Sequence, residues 1–186
     1  IGKIVSMYAR RNLPCWVGAS VLDKIGPIIG DGVHDTDLML WFSGANVVSA
    51  YAQTVKWREF KNDDLGWTMY RFDNGAVGVV ESVWHLPEST PYQIDARMEV
   101  IGTQGALYIN CGEAGLAVHD ADGARLPDTL YWPRVFGRYF GILRAELRYF
   151  ADCVLEGRPP DRITPAESRA AVAVMAAAGE SSSSGN

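Results

Sequence analysis

Apolar and polar positions alternate over residues 3–10, with Ile4, Ser6 and Tyr8 on one side and Val5, Met7 and Ala9 on the other. A period of two among β-forming residues predicts a strand. Residues 11–29 carry Pro14, Gly18, Gly26 and Pro27 and keep no period, which predicts a long irregular connection. Connections of that length in compact domains are usually functional or mobile. From Asp31 to Phe42 the spacing becomes helical, and Gly44 stands where a left-handed cap would end the helix. The middle of the chain returns to strands, at residues 47–55, 66–72, 76–84, 94–101, 106–109 and 116–118. Asp73-Asn74-Gly75 and Ala121-Asp122-Gly123 supply the positive φ angles of tight hairpins, and short links force antiparallel pairing. In residues 94–101, Ile94, Ala96, Met98 and Val100 face one way and Asp95, Arg97 and Glu99 the other, so one face of the sheet is core.

Two helices close the chain. Phe140, Leu143, Leu147, Phe150 and Val154 recur at steps of three and four and form one apolar stripe, with Arg148 and Asp152 as an ion pair on another side. Thr164, Pro165 and Glu167 form a capping box that opens the second helix, whose alanines allow close approach to a neighbour. The serine-rich end reads as a disordered tail over residues 181–186. The expected fold class is α+β: an open, largely antiparallel β-sheet with helices packed on one face, formed by residues 1–180 as one domain.

Composition narrows the function. A chain of 186 residues can bury one substantial core. A net charge of −5 speaks against nucleic acid, which needs a clustered basic face; Arg10-Arg11 and Arg134/Arg138 are only local basic spots. No apolar run approaches the roughly 20 residues that cross a bilayer, and no signal peptide is visible, so no membrane role is expected. Three widely spaced cysteines without a Cys-x-x-Cys pair fit free thiols in the cytoplasm. Ile1 in place of Met suggests a fragment cut at a domain boundary.

The candidate chemistry is concentrated in Gly30-Asp31-Gly32-Val33-His34-Asp35-Thr36-Asp37. An imidazole at a helix start can trade a proton with a hydroxyl near neutral pH, or can be a structural histidine bonded to Asp31 or to backbone. Asp37 is expected to be structural, holding the His-bearing turn, and Asp35 stays open between roles, since first-turn carboxylates also complement the helix dipole. A metal-dependent hydrolase built on Asp31, His34 and Asp35 would need further ligands. Arg11 and Asn12, near the end of the first strand, and His85, after the apolar Trp84, are candidate substrate contacts. Tyr131 and Trp132 could stack on a sugar ring or simply pack.

This stretch, followed by Leu38 and Trp41, resembles the opening helix of the C-terminal domain of NAD(P)-dependent oxidoreductases of the Gfo/Idh/MocA type, relatives of glucose–fructose oxidoreductase and inositol dehydrogenase. The similarity continues in order through residues 72–78, 99–105 and 149–154 and ends at Ile163-Thr164-Pro165-Ala166-Glu167-Ser168. The resemblance implies a substrate-binding and oligomerisation domain for a sugar, polyol or related hydroxy compound. It implies His34 as the proton carrier with Asp31 beside it, working with a lysine from a nucleotide-binding half. Many relatives place an Asp four residues before the His, where this chain has Gly30, with Asp31 only three before. No Gly-x-Gly-x-x-Gly turn is present, so NAD or NADP is expected in the full-length enzyme and none on this chain alone. A homo-oligomer through the open sheet face is expected. A non-catalytic binding or assembly module is the alternative.

Overall fold

The structure is a computed structural model describing residues 1–113 and 115–185. In chain order the elements are β1 (Ile4–Asn12), α1 (Cys15–Ala19), α2 (Pro27–Gly30), α3 (Gly32–Ser43), β2 (Val47–Val55), β3 (Leu65–Phe72), β4 (Val77–Val83), β5 (Asp95–Gly102), β6 (Ala106–Asn110), β7 (Val118–Asp120), β8 (Gly123–Arg125), β9 (Arg134–Val135), β10 (Arg138–Tyr139), α4 (Ile142–Glu156) and α5 (Pro165–Ser184). The expected α+β class stands. Six strands form an open sheet in the order β2-β3-β4-β1-β5-β6, and two small hairpins, β7–β8 and β9–β10, stand apart from it.

All neighbours in the large sheet are antiparallel except β1 and β4, which run parallel with Tyr8 opposite Val79. The reason lies in the connection. The chain leaves β1, crosses through α1–α3 to the far edge at β2, and returns by two antiparallel steps, so β4 arrives beside β1 in the same direction. The hairpin between β3 and β4 uses Gly75 at φ 88°, as its Asp-Asn-Gly sequence requires.

One face of the sheet is covered by α2, α3 and α5, which pack on β1–β4. The core between them holds Met7, Ala9, Met39, Tyr70, Phe72, Val80, Met98, Val100 and Met175. Gly66 permits the approach of α2, since a Cβ there would stand 2.4 Å from Ile28 Cγ1. The other face is open. One row of residues crosses all six strands on it, Tyr51, Met69, Val79, Tyr8, Glu99 and Tyr108. Asp95 is an exception on that face: it is buried between Arg10 at 2.9 Å and Arg97 at 2.8 Å.

Several expectations change. Arg11 and Asn12 belong to β1 rather than to a loop, with Asn12 paired to Asp95. The connection after it contains two short helices and the fully buried Leu22. The residues read as a disordered tail form the last turn of α5: Ser181 Oγ accepts the Ala52 N–H at 3.2 Å and Thr54 and Ser182 hydroxyls meet at 2.7 Å. Asn186 lies outside the described residues. Helix α5 packs on the sheet, but the stripe of α4 does not, leaving Leu147, Phe150 and Val154 exposed.

Candidate active site

The first turn of α3 is fixed from three directions. Trp84, just past β4, donates its indole N–H to Asp31 Oδ2 at 2.7 Å. Arg11 of β1 forks onto Asp35, Nε to Oδ2 at 3.1 Å and a terminal nitrogen to Oδ1 at 3.2 Å. Thr36 Oγ1 donates to the Gly32 carbonyl at 2.8 Å and lies 3.0 Å from the Tyr70 hydroxyl of β3. Asp31 and Asp35 are four residues apart and therefore share a helix face, with His34 on the adjoining side. His34 is exposed, and its imidazole makes no hydrogen bond among the described residues.

The electrostatics follow from this half-buried setting. Burial raises the Asp31 pKa above the ordinary carboxyl value, opposed by the Arg11 charge, the Trp84 N–H and a positive His34. Burial works against the Arg11 charge, but the Asp35 carboxylate outweighs it and the Arg11 pKa rises. Tyr131 is pushed up to about 12, first by burial and then by Cys111, with Arg11 pulling the other way. Burial raises the Cys111 thiol in the same way. Tyr131 and Cys111 thus sit within electrostatic reach of the Arg11–Asp35 pair. Both line a cavity of about 380 Å³ whose wall also includes Trp16, Tyr92, Asp128 and Trp132. The Tyr131 hydroxyl is buried there without a hydrogen-bond partner among the described residues.

The structure sorts the sequence candidates. His34, Asp31 and Arg11 come together, but Arg11 is engaged by Asp35 and holds α3 on the sheet. Asn12 is 4% exposed and its amide is occupied at both ends: Nδ2 donates to Glu81 Oε1 at 2.6 Å and Oδ1 accepts the Val83 N–H at 2.8 Å. It locks β1 to β4. His85 is exposed and takes no part in the hydrogen bonds or ion pairs of the Asp31–Arg11–Asp35 cluster. Asp37 makes no side-chain hydrogen bond among the described residues and lines a cavity with Glu167 and Ala170 of α5, where burial and Glu167 raise its pKa. The anchor is Asp35, two residues earlier. Among the described residues no group of three or more His, Cys, Asp or Glu side chains is arranged to hold a metal ion. No described helix is long and apolar enough to cross a membrane. Missing from the sequence reading were the Trp84–Asp31 bond and the Cys111–Tyr131 cavity wall, which join residues 53 and 20 positions apart.

An open, largely antiparallel sheet with helices on one face is the α+β architecture on which this helix start is mounted. The chain belongs to the GFO/IDH/MocA family: residues 1–108 match the model of its C-terminal domain. Over 141 residues it is 30% identical to the scyllo-inositol 2-dehydrogenase (NAD(+)) of Bacillus subtilis (strain 168), a match covering 73% of this chain and 39% of that protein. Two solved structures share the fold across the whole chain. Myo-inositol 2-dehydrogenase from Lactobacillus plantarum has a TM-score of 0.76 at 20% identity, with 56% of its chain covered. Scyllo-inositol dehydrogenase from Lactobacillus casei with bound NAD(H) and scyllo-inositol has a TM-score of 0.74 at 16% identity, with 56% covered. The chain therefore spans little more than half the length of these solved relatives and about two fifths of the curated one.

Proposed function

We propose that this chain is the substrate-binding and oligomerisation domain of an NAD(P)-dependent oxidoreductase acting on a sugar, polyol or related hydroxy compound. The observation that carries the reading is the exposed His34, held in a fixed helix turn between two anchored carboxylates. A histidine so placed takes the proton of a substrate hydroxyl as the carbinol carbon gives up hydride, and returns it in the reverse direction. Asp31, raised by burial, serves as its proton partner. The inositol substrates named for the relatives support the polyol class.

The described residues do not fit a dinucleotide: the large sheet has no glycine-rich strand-to-helix turn to cradle a pyrophosphate. The cofactor would be held by a nucleotide-binding half outside this chain and would exchange the hydride there. Calorimetry of the 186-residue chain should accordingly show no micromolar NAD or NADP binding. The open face, with its row of Tyr51, Met69, Val79, Tyr8, Glu99 and Tyr108, is the surface for a second copy. Light scattering should find an oligomer, and a monomer at high concentration would remove that part of the reading.

The decisive test is His34→Ala in the full-length oxidoreductase. Turnover should fall by about 10²–10⁴, the usual contribution of a positioned acid/base, with the melting temperature nearly unchanged. Intact turnover removes His34 from the mechanism.

A further inference from the structure

Gly30 and Trp84 fit closely. A Cβ on Gly30 would stand 2.8 Å from Trp84 Cη2 and 3.0 Å from Cζ2, nearer than carbon atoms pack. The indole cannot swing aside. It is 2% exposed and wedged in a small apolar cluster with Leu13 and Leu22. Its backbone is tied too: the Trp84 N–H donates to the Asp64 carbonyl at 2.9 Å, and the Trp84 carbonyl accepts from Arg58 at 2.6 Å. A rigid ring so placed presents its single polar group, the indole N–H, to Asp31 Oδ2 at 2.7 Å.

We infer that Trp84 is a positioning residue of the acid–base site: Gly30 leaves room for its ring, and its N–H holds the Asp31 carboxyl in one orientation at the start of α3, next to His34. An indole N–H can only donate, so it favours the ionised carboxyl and opposes the effect of burial. Oδ1 makes no hydrogen bond among the described residues and is the oxygen that exchanges a proton. The charged groups acting on Asp31 are Arg11 from β1 and His34 and Asp35 from its own helix. The catalytic meaning of the contact rests on the proton-exchange reading above; the contact itself does not.

The test is an NMR titration of the chain labelled at aspartate carboxyls and tryptophan indoles. In the parent chain, the Trp84 indole N–H resonance should move with the same midpoint as the Asp31 carboxyl. Trp84→Phe keeps a ring but removes the donor, so Asp31 should titrate at higher pH while the fold is retained. Gly30→Ala sets a methyl against the fixed ring, so the Asp31 turn must back away from the indole, and Asp31 should shift in the same direction with the donor still present. Should Trp84→Phe fail to fold, Asp31→Asn answers the same question, because the pH step in the indole resonance must vanish. An Asp31 midpoint indifferent to Trp84→Phe, or an indole step that survives Asp31→Asn, overturns the inference. In the full-length oxidoreductase, Trp84→Phe should lower kcat about tenfold at unchanged KM, the size of one charge-assisted hydrogen bond. His34→Ala with intact turnover overturns the acid–base reading and with it Trp84's catalytic role. An NMR coupling that fails while His34→Ala abolishes turnover overturns only the positioning role.

Discussion

Helices α4 and α5 are both long and both carry apolar residues at helical spacing, yet they meet opposite fates. The stripe of α5 is made of small residues and is buried, with Ala171 2%, Met175 1% and Ala178 0% exposed against β2 and α3. The stripe of α4 is larger and cleaner, and it lies open, with Leu147 62% and Val154 65% exposed. An amphipathic pattern states that a helix has a face to cover; it does not state that the cover belongs to the same chain. What decides here is reach. The Ala-rich surface of α5 lets its backbone come close enough to the sheet for Ser181 to accept a hydrogen bond from β2. Among the described residues, α4 is tied instead at its start, where the Ile142 and Leu143 N–H groups reach the Leu130 and Tyr131 carbonyls, and at mid-length, where the Tyr149 hydroxyl donates to Asp161 Oδ1 and accepts backbone N–H groups from Asp161 and Arg162.

Substitutions sharpen that contrast in graded steps. The largest stability effect belongs to the covered side: Asp35→Ala strands the Arg11 guanidinium, whose side chain is 15% exposed, and should cost about 3–5 kcal/mol in chemical denaturation. A loss below 1 kcal/mol would mean that α3 is held by packing alone. Met175→Ala opens a void between α5 and α3 beside Thr36 and Tyr70, and about 2–4 kcal/mol should disappear from the unfolding free energy. Removing the N-cap hydroxyl with Thr164→Ala should lower stability by about 1 kcal/mol, because Thr164 Oγ1 accepts the Glu167 N–H at 3.2 Å. Leu147→Ala on the open stripe should change the stability of this chain by less than about 0.5 kcal/mol. If Leu147→Ala proves as damaging as Met175→Ala, the two helices are not different in kind and the comparison collapses.

Much of the fold was legible because its signals are local. The capping box at Thr164 and Glu167, the left-handed cap at Gly44 and the hairpin at Asp73-Asn74-Gly75 each depend on residues within a turn of one another. Strand alternation in residues 94–101 likewise gave the core face correctly, since Ala96, Met98 and Val100 are buried. The serines at the end misled because composition outweighed context: Ser181 and Ser182 find partners in β2, about 130 positions away. The candidate site was legible as a helix start bearing His34 and its carboxylates, and as the resemblance that residues 1–108 then bore out.

By itself, then, the sequence determined the main strands and the longer helices, the antiparallel hairpins, the one-sided core and the family. Only the tertiary structure decided what each polar group does. Asn12 became a strand lock and Arg11 a clamp on Asp35 because β1 lies between β4 and β5, a neighbour relation created by a crossover through α1–α3. Asp31 met Trp84 for the same reason, the end of β4 passing beneath the start of α3. Local pattern fixes which residues a backbone can present, whereas the partner of a half-buried charge is set by whichever distant strand the topology brings within 3 Å.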